Sequence, residues 1–299
     1  MATHIAWLLN LDADLELQDQ ESFGRARLSA QRIRELTARV ADLVAPDDPI
    51  LDEATAVSVR ADTIVLAFCP TPSALTRIAQ LGLSVPAAPP FAVLRRVNDR
   101  AFCAQLGHGL ADSCFALDMA ALEKHLACFP ATTFVIKRAF SFAGREQRRG
   151  QGDGQGRALD ASTRGFCARS FERGEGLQVE PWVERLADFS RHGYVTRAGA
   201  VLAGETREQQ CDAMGRYVGV SIGPARVTQV EDELLASTLL ATGVALTRAG
   251  YFGPFGIDGF RYKTPDGGTA LNPRCEINAR FTMGYPRALL LRGLVADRW

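Results

Sequence analysis

The chain has 299 residues, 47% of them apolar, enough for two core-bearing units or one large and one small. Its 34 basic and 34 acidic residues cancel, which leaves no basic field for nucleic acid or an anionic membrane, and no apolar run approaches the roughly 18 residues of a membrane helix. Seven scattered cysteines without a C-x-x-C, four histidines without an H-x-x-x-H and an N-terminus without a cationic start point to reduced thiols in a cytoplasm, no zinc site and no secretory signal.

Residues 4–10, H-I-A-W-L-L-N, form an apolar run expected as a first strand, followed by the acidic loop L-D-A-D-L-E-L. Ile33, Leu36, Val40 and Leu43 recur at helical spacing and predict a helix over 29–44, stopped at Ala45-Pro46. Residues 62–68 predict a second buried strand, which ends in Cys69-Pro70-Thr71-Pro72 and leads into an amphipathic helix to about Leu81. Strand, helix, strand, helix implies a small parallel α/β unit over residues 1–90, with the loop 69–73 at the carboxyl end, where such units tend to bind ligands. The Pro-rich segment 85–90 breaks the pattern and marks a linker.

Helices are expected over 99–106 and 118–129, then a strand over 132–139 in which Lys137 points opposite to Ile136. Only three of the 34 basic residues are Lys, so a lysine inside an apolar strand stands out in this arginine-rich chain. The Gly- and Arg-rich stretch 141–157 has almost nothing to bury and is expected as a mobile loop. A helix over 164–173 ends at Gly174. Residues 176–183, G-L-Q-V-E-P-W-V, read as a strand, 188–196 and 200–209 as a hairpin, and 231–249 as the strongest helix, with an acidic first turn and Gly250 as its stop.

The last expected element is a second hairpin, 255–262 against 271–277, around Thr-Pro-Asp-Gly-Gly. A turn centred near Gly267 puts Asp258 opposite Glu276, with Asn278 and Arg280 on the face of Glu276. Directly opposed carboxylates repel, so something positive belongs between them. Two carboxylates and an amide oxygen are hard ligands of the kind Mg²⁺ takes while also holding a substrate phosphate. A solvated hairpin face whose arginines neutralise the acids is the alternative.

A strand lysine, a glycine-rich loop, a strand ending in Glu180-Pro-Trp-Val183 and a hairpin carrying Asp258 and Glu-Ile-Asn-Ala-Arg280 stand in a fixed order. Over residues 134–284 this set resembles the ATP-grasp superfamily. The resemblance implies an α/β (α+β) fold: two α+β subdomains gripping ATP, preceded by a small Rossmann-like parallel α/β domain. It divides the chain into 1–90, a lid subdomain 91–183 and a C-terminal subdomain 184–299 with the metal site. It implies that Lys137 and Arg100 contact the ATP phosphates, that Ser141, Gly144 and Arg145 open the lid, and that Glu180 accepts from the adenine amino group. Trp182 and Val183 then complete the hinge, and Asp188 binds the ribose or, alternatively, reaches the second substrate. Asp258, Glu276 and Asn278 hold two Mg²⁺ (or Mn²⁺), and Arg280 holds the γ-phosphoryl or acyl phosphate oxygens, with a salt bridge to Glu276 as its structural alternative. Many ligases of the superfamily carry an Arg two residues before the metal Asp, where this chain has Gly256.

The implied activity is an ATP-dependent ligase that activates a small-molecule carboxylate as an acyl phosphate for attack by an amine or thiol, releasing ADP and phosphate. No Ser/His/Asp or Cys/His nucleophile set competes with this reading. A small-molecule kinase and an ATP-binding module without chemistry are the alternatives. Segments 69–73, 192–194 and 211–216 are the expected substrate loops. The resemblance adds no nucleic-acid or membrane partner, and dimers are common among proteins of this type, so a homodimer is open.

Overall fold

The structure, a computed structural model, describes residues 4–21, 23, 35–40, 42–56, 58–60, 62–130, 132–140, 147–152, 159–212, 217–221 and 223–297. The two apolar N-terminal runs form β1 (Ile5–Leu8) and β2 (Ile64–Ala67), paired in parallel, and Trp7 makes a further parallel bridge to Ile50. The acidic loop contains a short helix, α1 (Ala13–Gln18), too brief to show a period in sequence. Of the helix predicted over 29–44, residues 29–34 and 41 lie outside the described residues; 35–37 are helical, Ala38–Val40 is a 3₁₀ turn, 42–44 are turn and bend, and Leu36, Val40 and Leu43 are buried as that periodicity requires. A four-residue helix, α2 (Glu53–Ala56), precedes β2, and α3 (Pro72–Gln80) follows it with Pro at its first turn.

Two further helices, α4 (Phe91–Asn98) and α5 (Arg100–Gln105), follow the Pro-rich segment. The first was not foreseen. It is separated from the second by Asp99, which sits at φ −73°, ψ 135° and caps α5 by accepting from the Ala101 amide at 2.7 Å.

The next sheet has the order β3 (Cys114–Ala116), β6 (Leu177–Pro181), β4 (Thr133–Arg138), β5 (Gln147–Gln151), all antiparallel. Helices α6 (Met119–Ala127) and α7 (Ala161–Glu172) cover it through Leu122, Leu126 and Phe166 against Phe134, Ile136 and Val179. Strand β5 corrects the expectation of a loop throughout 141–157. An edge strand needs only backbone pairing on one side, and here arginine stems supply the cover: Arg148 lies 4.7 Å from the Phe166 ring centre and Arg149 3.5 Å from that of Trp182.

A five-stranded antiparallel sheet follows, in the order β11 (Thr269–Asn278), β10 (Gly253–Lys263), β7 (Arg185–Val195), β8 (Val201–Cys211), β9 (Tyr217–Val220). Helix α8 (Gln229–Arg248) packs on it through Leu235, Leu239 and Leu246 and starts with a reciprocal Thr228–Glu231 capping box. The C-terminal helix α9 (Arg287–Ala296), absent from the sequence reading, buries Leu289, Leu290 and Leu294. With Phe281 and Tyr285 these share one core with Ile5, Trp7, Leu36 and Phe68, which joins the N-terminal unit to the last hairpin.

The register of that hairpin is the expected one: Asp258 pairs with Glu276. Two residues further along β10, Phe260 pairs with Asn272, so β11 carries extra residues opposite Gly259. Pro273, which has no amide hydrogen to give a ladder, falls inside this bulge. The bulge fits only because Gly259 lacks a side chain: a Cβ there would lie 2.8 Å from the Asn272 carbonyl oxygen and 3.0 Å from that of Pro273. Gly259→Ala should therefore destabilise the fold by about 1–3 kcal/mol in denaturant titration, since backbone has to give way.

His192 on β7 is 1% exposed, its Nε2 bonded to Thr282 Oγ1 at 2.8 Å and its Nδ1 without a partner among the described residues. Burial, then the Arg207 charge, pushes its pKa down to about 3. Unfolded, it titrates near 6.5, so the unfolded chain takes up the proton first. The stability due to neutral His192 is complete above pH 6.5 and should erode toward pH 3 by up to about 1.4 kcal/mol per pH unit. Denaturant midpoints between pH 6.5 and 5 should fall in the parent and fall less in His192→Gln.

Candidate active site

A cavity of about 780 Å³ opens between the two sheets, lined by Lys137 from β4, Trp182 and Val183 from the connection into β7, Asp188 from β7 itself, and Asp258, Glu276 and Asn278 from the last hairpin. Arg100 at the start of α5 and Arg280 just after β11 also line it. Nine of the sequence-predicted site residues thus reach this cavity, and Glu180 stands beside it, bonded to Lys137. Ser141, Gly144 and Arg145 lie outside the described residues.

The floor is the acidic pair. Asp258 accepts from Gln209 Nε2 at 2.8 Å and Asn278 Nδ2 at 2.9 Å. Even so, burial first, and the facing Glu276 second, push its pKa up to about 7. Burial and the facing carboxylate act in the same direction, both favouring a protonated Asp258. Glu276 accepts from Arg100 Nη2 at 2.9 Å, and burial of that guanidinium is outweighed by Glu276 and Glu180, which hold it firmly protonated.

The arginine expected to hold phosphoryl oxygens has a different partner from the one expected. Arg280 forms a two-pronged pair with Asp14 of α1, Nε to Oδ1 at 3.2 Å and Nη2 to Oδ2 at 2.8 Å. Glu276 acts on it only through space. Such a fork fixes the guanidinium plane as well as its position. Asn98 at the end of α4 clamps the backbone beside it: its Oδ1 accepts from the Ala279 amide at 2.9 Å, and its Nδ2 donates to the Leu94 carbonyl at 2.8 Å. Asp14, Asn98 and Gln209 were not singled out in sequence. Asp14 and Gln209 lie far from the motif they serve, and only Asn98, adjacent to the Asp99-Arg100 pair, carried a local signal.

At the other end, Lys137 and Glu180 sit on neighbouring strands and bond to each other. Burial opposes ionisation of Glu180, but Lys137 and then Arg100 hold its carboxyl below the ordinary range. Asp188 accepts from Arg185 Nη1 at 2.9 Å. The Trp182 amide donates to the Thr133 carbonyl at 2.8 Å, tying the connection to the edge of β4.

The expected substrate loops are corrected in part. His192 and Tyr194 are buried strand residues, so 192–194 is no loop. Residues 69–73 do not line the cavity; Asn10 holds the Cys69 amide and carbonyl at 3.0 and 2.7 Å, and only the preceding Phe68 reaches it. Cys211 and Asp212 line it, while 213–216 lie outside the described residues.

Among the described residues no three His, Cys, Asp or Glu side chains converge as a metal cage. Two carboxylates and an amide form an incomplete set, which suits a cation that brings further oxygen ligands with its substrate. Among the same residues no helix is long and apolar enough to cross a membrane.

No protein-family model matches the chain, and no curated protein matches it in sequence. Solved structures do match in shape. Biotin carboxylase of Campylobacter jejuni, in complex with β,γ-ATP, superposes with a TM-score of 0.56 at 14% identity, over 93% of this chain and 60% of that one. D-alanyl-alanine synthetase A of Vibrio cholerae gives 0.52 at 11%, over 99% and 94%. N5-carboxyaminoimidazole synthetase of Staphylococcus aureus, complexed with ADP, gives 0.51 at 10%, over 95% and 72%. The chain has the ATP-grasp fold. Identities this low establish the fold and leave the reaction to the residues.

Gly256 explains the missing arginine of this ATP-grasp chain. A Cβ at 256 would lie 3.0 Å from His192 Cδ2 and 3.3 Å from Thr282 Cγ2, so the position is walled by a buried histidine and its partner. Gly256→Arg should lower stability by about 1–3 kcal/mol or more in denaturant titration.

Proposed function

We propose that the protein is an ATP-dependent carboxylate–amine (or thiol) ligase. The observation that supports this most is the opposed Asp258–Glu276 pair with Asn278, faced by Arg100 and Arg280 inside one cavity of an ATP-grasp fold. Adenine binding alone has no use for such a floor. The C. jejuni and S. aureus neighbours were captured with an ATP analogue and with ADP, in agreement with a nucleotide in this cleft.

In this reading residues 1–90, 91–183 and 184–299 act as N-terminal, lid and metal-binding units. Trp182 and Val183 take the adenine edge through their backbone, Glu180 accepts from its amino group, and Asp188 takes the ribose hydroxyls. Lys137 and Arg100 exchange their carboxylate partners for phosphate oxygens, and Ser141, Gly144 and Arg145 close over them. Asp258, Glu276 and Asn278 would hold two Mg²⁺ (or Mn²⁺), which neutralise phosphate charge when bound. Arg280, its plane set by Asp14, stabilises charge on the transferred phosphoryl group.

The substrate carboxylate oxygen bonds to the γ-phosphorus and ADP leaves, giving an acyl phosphate. The amine then bonds to the acyl carbon, inorganic phosphate leaves, and the amine proton passes to solvent. Catalysis rests on positioning and charge stabilisation, so no side-chain nucleophile is needed.

A phosphate-release screen over pairs of carboxylates and amines tests the reading. We expect ADP and free phosphate in equal amounts from the parent, and a drop of about 100-fold or more in Glu276→Gln. Turnover by Glu276→Gln at the parent rate sinks the proposal, and a phosphorylated product without free phosphate makes the protein a kinase.

A further inference from the structure

Helix α8 is apolar on two sides. Leu235, Leu239 and Leu246 face the sheet and are fully buried. On the outer side Val230, Leu234, Leu240 and Val244 stand in water, 74, 37, 45 and 45% exposed. No other described helix or strand leaves more than one large apolar side chain this exposed. At about 100° per residue these four share one arc of the helix surface with Ser237 and Ala241, which are exposed as well.

The charges on this arc are ordered by sign. Glu231 pairs with Arg261 and Asp232 with Arg191, each at 2.6 Å, so both are committed to the body of the protein. Glu233 near the start of the arc and Arg248 at its end are exposed. Glu233 accepts from Gln229 Nε2 at 2.8 Å and, like Arg248, has no ion-pair partner among the described residues. About 22 Å of helix separates the two, at 1.5 Å per residue, and the midpoint falls between Leu240 and Ala241. An antiparallel second α8, related by a two-fold axis through that midpoint, sets Glu233 of each copy against Arg248 of the other. It also sets Leu240 against Ala241 and Ser237 against Val244, so a small side chain meets a larger one along the seam. A parallel copy would set acid against acid and base against base. The face is thus complementary to itself, in charge and in size, in one orientation.

We propose that a second copy of this chain docks on the outer face of α8, giving a two-fold dimer with the helices antiparallel and Glu233–Arg248 pairs at both ends. Association removes Leu240 and Val244 of both copies from water, which drives it, while the end charges fix direction and register. No residue of α8 lines the cavity, so the dimer leaves the cleft open and holds whatever reaction the cleft catalyses. A contact about one helix pair wide is smaller than an obligate interface, so the Kd is expected at about 1–100 µM.

Sedimentation equilibrium of the full chain from about 1 to about 500 µM tests this. The parent should pass from monomer to dimer within that range and form nothing larger, because a two-fold contact closes on itself. Leu240→Glu, which puts a charge at the centre of the seam, should weaken association by about 100-fold or more. Glu233→Arg and Arg248→Glu should each weaken it by about tenfold, since like charges then meet at both ends, and the two together should restore it. All three positions are exposed, so far-UV circular dichroism of each variant should match the parent; if Leu240→Glu fails to fold, the charge reversals decide. A parent that stays monomeric throughout, a dimer unchanged by Leu240→Glu, or a double reversal no tighter than the single ones overturns the proposal.

Discussion

Two carboxylates facing each other across a strand pair repel, and the rest of the site is arranged around that repulsion. The hairpin of β10 and β11 places Asp258 and Glu276 in register, and the bulge at Pro273 with Gly259 opposite keeps them there. Amides from Gln209 and Asn278 and a guanidinium from Arg100 relieve the repulsion, while burial first and the facing Glu276 second push the Asp258 pKa up to about 7. A fold tolerates such a pair where the deficit is met by a ligand, because like charges opposed on a sheet are otherwise destabilising.

The same logic explains the ion pairs. Lys137 bonds to Glu180, Arg100 to Glu276 and Arg280 to Asp14, so each of these three cations, the ones among the described residues proposed to meet a phosphate, already has a carboxylate. Leaving a buried guanidinium or ammonium unpaired costs several kcal/mol, so internal partners are the condition for keeping these side chains in place. Nucleotide binding in this reading is an exchange of partners, in which Lys137 gives up Glu180 for a phosphate oxygen while Glu180 turns to a neutral donor. The net gain is smaller than the number of new contacts suggests, and the gain in orientation is what matters. Arg280 is the exception, because its fork with Asp14 leaves room for further acceptors without breaking the pair.

Apart from the short β3 and β9, most strands and the hairpin register were legible in sequence because alternation and turn chemistry are local, and Asp258 opposite Glu276 followed from them. Strand β5 was not, because an edge strand covered by arginine stems has no apolar alternation to read. Helix α4 was hidden by its proximity to the Pro-rich segment, and α9 by a run, Arg287–Ala296, that is apolar on nearly every side. Within the site, Asp258, Glu276 and Asn278 stand close together in the hairpin, whereas side chains that hold this region in place, Asp14 and Gln209, come from other elements. Arg280 was read toward Glu276 because the two share a face in an ideal strand. The strand ends at Asn278, and beyond it the chain is free to turn the side chain to Asp14.

The match to solved structures at 10–14% identity without any match in sequence has a physical reading. What the fold demands is a pattern: two antiparallel sheets, each with an apolar face covered by helices, satisfied here by Val, Ile, Leu and Phe. What the nucleotide demands is a handful of charged and amide side chains at fixed points on those sheets. The N-terminal unit lies outside both demands. That unit is nevertheless bound rigidly to the site, through the core shared by Trp7, Phe68, Phe281 and α9 and through the Asp14–Arg280 fork. A unit held in position by a shared core, yet outside the strands that carry the charged floor, can differ in chemistry from chain to chain without disturbing that floor.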